Sequence, residues 1–267
     1  MTVVALVALA ILSGFILGFF IARKVFLPSD VGEIRRLETV RRDFIANVSH
    51  ELKTPVTAIR GLVETLIDDK QMDVPTKDRF LAKIKGQALR LSNLVADLLT
   101  LSRLESQKIL SESEKEKFEL KKVIKTSAEA QQPAVESKKI QLDIDLPKEP
   151  VPVMGDFEAL RQSVDNLISN AVKYTTEEGS ITVGLKVEGK EAVIFVKDTG
   201  MGIEPHHLDR IFERFYRVDK ARSRELGGTG LGLSIVKHVA ISHGGSVSVD
   251  STQGEGSIFR IHLPISK

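Results

Sequence analysis

Apolar side chains recur at Ile34, Leu37, Phe44, Val48, Leu52, Ile59, Val63 and Leu66, spacings of three, four and seven or eight. This period predicts a helix with one buried stripe. A second stripe has Ile84, Leu91 and Leu98 seven apart, flanked by Ala88, Leu94, Val95 and Leu101. It predicts a partner helix starting around Thr76 or Lys77, after Pro75. The first helix should end near Ile67, with Asp68, Asp69, Lys70 and Gln71 forming the loop of a hairpin. Two helices cannot bury such stripes alone, so two hairpins should pair as a four-helix bundle in a homodimer.

Beyond the polar stretch 106–117 the period changes. Phe118-Glu119-Leu120 reads as a strand, 120–138 as mostly helix despite Pro133, 140–146 as an alternating strand and 157–174 as a helix. Residues 181–187 and 191–196 predict a hairpin through Glu188-Gly189-Lys190, and 245–250 with 257–263 a second. Mixed strands with a few helices on one face imply an α/β sandwich. The arginine-rich stretch 205–226, with Arg210, Arg214, Arg217, Arg222 and Arg224, is too long for a simple connector and is expected to be a mobile lid.

The start of the chain differs from all of this. Residues 3–22 carry no charge, and as a helix they would be about 30 Å long, matched to a bilayer core. Arg23 and Lys24 follow the span, which directs the N-terminus outward and everything after it into the cytoplasm. A secretory leader would instead begin basic and have a shorter apolar region. Ala10, Gly14, Gly18 and Ala22, four apart, would let two such spans pack closely. A charged linker at 23–43 turns helical by about Gly32.

Composition narrows the function. The 267 residues can hold one domain of about 150 residues plus smaller elements. A hydrophobic content of 42% excludes global disorder. The net charge of +2 argues against a nucleic-acid partner. Without cysteine there is neither disulfide nor thiol chemistry.

Candidate chemistry begins at 44–55, where His50, Glu51 and Pro55 interrupt an apolar helical pattern. His50 lies two residues from both Val48 and Leu52, so at roughly 100° per residue it points away from the stripe into solvent. Pro55 removes a donor and crowds the Glu51 carbonyl, which predicts a bend one turn after the histidine. A zinc-protease helix would need a second histidine where this chain has Thr54. As a nucleophile, a neutral imidazole needs a base for its second proton, and Glu51 is adjacent to supply it.

Three segments downstream suit a nucleotide. On the helix 157–174, Asn166, Asn170 and Lys173 share one face and could hold a cation and phosphates. Asp198-Thr199-Gly200-Met201-Gly202 places a carboxylate at a strand end before a glycine turn. Gly227-Gly228-Thr229-Gly230-Leu231-Gly232-Leu233 opens a helix whose free N–H groups favour phosphate. Each has a plain structural explanation alone; their order after the histidine segment does not.

Residues 41–264, about four fifths of the chain, resemble the catalytic core of bacterial two-component sensor histidine kinases, nearest the PhoR-type phosphate-sensing branch. The segment 44–55 resembles the H box, 166–174 the N box and 198–202 the first glycine box. Ile-Phe-Glu-Arg-Phe-Tyr-Arg at 211–217 resembles the F box, 228–233 the second glycine box and 254–257 the last. The resemblance implies a membrane helix (1–22), a linker (23–43), a dimerisation and phosphotransfer hairpin (44–110) and an ATP-binding α/β sandwich of the histidine kinase, gyrase and Hsp90 type (116–267). It makes His50 the phospho-acceptor, Glu51 its base and Thr54 the position that orients water against a partner's phosphoaspartate. Asn170 becomes a magnesium ligand, Lys173 a phosphate contact, Tyr174 an adenine-pocket residue and Asp198 the acceptor for the adenine amino group. Gly200, Gly202, Gly228, Thr229, Gly230, Leu231 and Gly232 complete the ATP site.

Where related ATPases carry a glutamate that activates water, this chain has Asn166, and an amide cannot be that base. Transfer to protein is therefore favoured over hydrolysis. The implied partners are a response-regulator receiver domain of the PhoB or PhoP kind, a second copy of the chain and the membrane. The alternatives are a related ATPase and a scaffold whose dominant activity is removing the regulator's phosphate.

Overall fold

The computed structural model describes residues 31–106, 115–219 and 227–265. The span expected at 3–22 and the lid residues Arg222 and Arg224 lie outside them. No helix among the described residues is long and apolar enough to cross a membrane. The chain divides into Met1–Val48 and Ser49–Lys267, and the second unit carries the end of α1, all of α2 and every strand.

Helix α1 spans Val31–Asp68 and α2 Val74–Ser106. α1 runs uninterrupted through Pro55, so the predicted bend does not divide it. The Thr54 hydroxyl donates to the His50 carbonyl at 3.0 Å, one residue before the Glu51 carbonyl that Pro55 leaves without its helical N–H donor. α2 begins earlier than the position of Pro75 suggests. An Asp73 carboxylate oxygen accepts from the Thr76 N–H at 3.2 Å, capping a first turn that contains the proline.

The α/β domain follows as β1 (Glu116–Glu119), α3 (Leu120–Ser137), β2 (Gln141–Asp145), β3 (Pro152–Gly155), α4 (Phe157–Tyr174), β4 (Ser180–Glu188) and β5 (Glu191–Asp198). The short α5 (Pro205–Leu208), α6 (Gly232–Ser242), β6 (Ser246–Thr252) and β7 (Gly256–Pro264) complete it. Five strands form one sheet in the order β2-β4-β5-β7-β6, with β2 parallel to β4 and the other pairs antiparallel. β1 and β3 make a separate antiparallel pair. Both predicted hairpins are present, whereas β3 was not foreseen: it has four residues, opens with a proline and pairs only with the distant β1. Leu120 starts α3 instead of ending a strand, because the Glu119 carboxylate accepts the N–H groups of Lys121 and Val151.

Helices α3 and α4 pack on each other and against the sheet, and α6 packs against α4. Leu160, Val164, Leu167 and Ile168 of α4 are buried with Ile181, Val183, Ile194 and Ile261 of the strands. α2 packs against α6, and Leu94, Leu98 and Leu101 are buried. Val56, Val63, Ile67, Leu81 and Leu89 of the hairpin remain exposed.

Candidate nucleotide and phosphotransfer site

Helix α4 is fixed at both ends by residues remote in sequence. At its start Asp156 caps the helix by accepting the Ala159 N–H at 3.0 Å, and its own N–H donates to His243 Nε2 at 2.9 Å. His243 Nδ1 lies 2.7 Å from the Val239 carbonyl, so this network puts the ring proton on Nδ1. At the far end the Lys138 ammonium donates to the carbonyls of Val172 (2.7 Å), Lys173 (3.1 Å) and Thr175 (3.2 Å). These are the acceptors that a helix leaves unsatisfied at its C-terminus.

Burial holds the His243 imidazole below its ordinary pKa. The unfolded chain therefore binds more protons once the pH drops below about 6.5, so stability present at neutral pH is lost as the pH falls toward the depressed folded value. Urea unfolding of His243→Ala should show a loss of about 1–3 kcal/mol at neutral pH, from the stranded Asp156 N–H. It should also show a shallower decline than wild type between about pH 7 and 5.5. An unchanged slope would assign the acid sensitivity to other groups, of which His238, also held low by burial, is the first.

A cavity of about 430 Å³ opens along α4. Of the residues expected at a nucleotide site, Asn166, Asn170, Lys173 and Tyr174 of α4 line it, together with Asp198 and Gly202 after β5 and Gly228, Thr229, Gly230 and Gly232 before α6. Gly200 and Leu231 do not line it. The Gly200 N–H donates to Asp198 Oδ1 at 2.8 Å, and Leu231 is fully buried. Two glycines are dictated by the backbone. Gly202 has φ +64° and a Cβ there would lie 1.9 Å from the Thr252 carbonyl oxygen. Gly230 has φ +76° and its carbonyl accepts the Phe215 N–H at 2.8 Å, joining the F box to the glycine loop.

The cavity is polar in a directed way. Asp198 is 6% exposed, and burial raises its pKa against the opposing backbone bonds from Gly200 and Ser257. Burial likewise lowers the pKa of Lys173. Asn166 Nδ2 is buried with no protein acceptor. An orphan donor, a half-buried ammonium and a loop of backbone N–H groups around one cavity fit a phosphate-bearing ligand. Among the described residues no cluster of three or more acidic, histidine or cysteine side chains could hold a metal. A magnesium ion here would use the Asn170 amide oxygen together with nucleotide oxygens and water.

His50 is outside this cavity, its side chain 64% exposed as the helical phase predicts. Glu51 is 12% exposed and its Oε1 lies 3.9 Å from His50 Nδ1, beyond hydrogen-bond range. Instead its Oε2 accepts from Arg217 at 2.9 Å and from Arg90 at 3.1 Å. In this arrangement the residue expected to be the base is paired with two guanidinium groups. Thr54 sits one turn beyond His50 on the same face. α2 adds residues that sequence reasoning did not single out: Arg90 on Glu51, and Asn93 and Asp97 on the cavity wall. The available signal was a polar pair four residues apart beside the buried Leu94 and Leu98.

Residues 40–107 match the His Kinase A (phospho-acceptor) domain, and residues 155–267 the histidine kinase-, DNA gyrase B- and HSP90-like ATPase family. The chain belongs to the sensor histidine kinases. The chain is 41% identical over 240 residues to the phosphate regulon sensor protein PhoR of Pseudomonas aeruginosa, covering 90% of its own length and 53% of PhoR. It therefore spans little more than half the length of that relative. The histidine kinase AdeS of Acinetobacter baumannii superposes with a TM-score of 0.65 at 27% identity, over 82% of this chain and 98% of AdeS. The chain shares its fold with histidine kinase ThkA, solved in complex with the response regulator protein TrrA: TM-score 0.69, 22% identity, 87% of this chain and 64% of ThkA.

Proposed function

We propose that this protein is a membrane-anchored, dimeric sensor histidine kinase that phosphorylates His50 from ATP and passes the phosphoryl group to an aspartate of a response regulator. The observation that carries the reading is an exposed imidazole in the same compact unit as a cavity lined by Asn166, Asn170, Lys173, Asp198 and the glycine loop. The neutral His50 nitrogen attacks the γ-phosphorus while the bond to the ADP oxygen breaks, and the other ring proton passes to the Glu51 carboxylate once the guanidinium groups release it. Magnesium, when bound, neutralises charge on the phosphate oxygens. Lys173 adds a half-buried positive charge, and the Asn166 amide cannot take a proton from water, which favours transfer over hydrolysis.

The exposed apolar row on the hairpin supports a second copy as its cover. The TrrA complex of ThkA supports a receiver domain as the phosphoryl acceptor. The uncharged residues 3–22 support a single membrane span. Incubation of the purified protein with labelled ATP and magnesium tests the reading. The label should be acid-labile and alkali-stable, as a phosphoramidate is, and acid-stable label would overturn it.

Phosphatase activity belongs to the same proposal. The Thr54 hydroxyl donates its proton to the His50 carbonyl, leaving its lone pairs to accept from a water aimed at the regulator's phosphoaspartate. Thr54→Ala should keep autophosphorylation and slow loss of phosphate from the regulator by about 10-fold or more. Equal dephosphorylation rates for variant and wild type would remove Thr54 from this role.

A further inference from the structure

The cavity is not walled by the ATPase-like fold alone, because Asn93, Ala96 and Asp97 of α2 also line it. Asp97 Oδ2 accepts from the Thr229 hydroxyl at 2.7 Å, across 132 residues of sequence. The Lys173 ammonium acts on the same carboxylate. Thr229 is also held through its carbonyl, which accepts from Arg217 at 2.8 Å while that guanidinium is forked on Glu51. The hairpin thus grips one residue of the glycine loop twice, directly through Asp97 and through Arg217 by way of Glu51. Burial raises the Asp97 pKa and lowers that of Lys173, so neither charge is fully compensated by the other. A polyanion entering the cavity would meet a hydroxyl already bonded to a carboxylate, and that carboxylate's charge would oppose its approach to the nearby cation.

We propose that Asp97 is a positioning residue that competes with nucleotide phosphate: its carboxylate holds the Thr229 hydroxyl and sets a negative charge against the Lys173 ammonium without bonding to it, so that nucleotide binding draws the glycine loop away from α2 and loosens the Arg217 fork on Glu51. The inference rests on the nucleotide-site reading above and adds a link from that site to the base beside His50. Opposition between two ligands for the same groups is a coupling free energy, and it acts in both directions. Binding of phosphate weakens the hairpin contact, and the hairpin contact weakens binding of phosphate.

Two variants separate charge from hydrogen bonding. Asp97→Asn keeps the size and an acceptor oxygen but removes the charge; Asp97→Ala removes both. Calorimetric titration of each full-length variant with magnesium-ATP should show about 10-fold tighter binding than wild type, within the usual range of such couplings. Adenosine, which has no phosphate, should bind all three proteins alike, a comparison that a merely structural role for Asp97 would not survive. Unchanged or weaker magnesium-ATP binding by Asp97→Asn, in a wild type that binds it, overturns the competition and leaves the nucleotide site standing. Equal gains for adenosine and ATP overturn it as well. A wild type that binds no nucleotide overturns the site and the competition together.

Discussion

Replacement of His50 by glutamine should abolish phosphorylation of the protein by ATP and leave its affinity for nucleotide nearly unchanged. The side chain is 64% exposed and does not line the cavity, so the substitution removes a nucleophile without touching the packing or the nucleotide's surroundings. Exposed positions away from special features usually shift stability by less than about 0.5 kcal/mol. Two of the other imidazoles, His243 and His207, are poor substitutes. Both nitrogens of His243 are engaged, and His207 Nδ1 lies 2.6 Å from the Tyr216 hydroxyl. Labelled ATP with acid hydrolysis reads the first half of the expectation and calorimetry the second. Persistent acid-labile label on His50→Gln would move the phospho-acceptor elsewhere.

The second large effect is expected at Asn170. Its side chain lines the cavity one helical turn from Asn166, on the side of α4 nearly opposite the buried Ile168. Alanine removes the amide oxygen, keeps helix propensity high and touches no core position. Autophosphorylation of Asn170→Ala should fall by at least about 100-fold, on the scale of losing one preorganised electrostatic partner of a transferring phosphoryl group. The urea midpoint should stay close to that of wild type. Nucleotide titrations with and without magnesium complete the test: wild type should gain affinity from the ion, and the variant should not. A variant that binds magnesium-ATP like wild type and still labels would show that Asn170 holds no metal.

Most elements were legible because their period is local. The helix expected at 157–174 spans those residues as α4, and the turn at Glu188-Gly189-Lys190 predicts the β4–β5 hairpin. What escaped was non-local. β3 exists because β1 pairs with it from the far side of α3 and β2. Periodicity shows that Leu94, Leu98 and Leu101 are buried but not what covers them, and α2 packs on α6 within the same chain. Asn166, Asn170, Lys173 and Asp198 could be read as a site because α4 and the β5 turn are local motifs. The link from Glu51 to Arg217 spans 166 residues, and no spacing rule reaches it.

The grip of Lys138 on the end of α4 bears on where the ATPase-like domain can be cut. The family match begins at residue 155, yet the ammonium that covers the carbonyls of Val172, Lys173 and Thr175 comes from residue 138. The same upstream segment supplies α3, which packs along α4, and β2, the parallel neighbour of β4. A fragment trimmed to the match would bare the α3-facing side of α4 and strip the Lys138 ammonium from the carbonyls of Val172, Lys173 and Thr175, beside the two residues, Lys173 and Tyr174, that end the α4 wall of the cavity. A self-sufficient nucleotide-binding piece has to start ahead of β1, at about Lys115, some forty residues before the region by which the family is recognised.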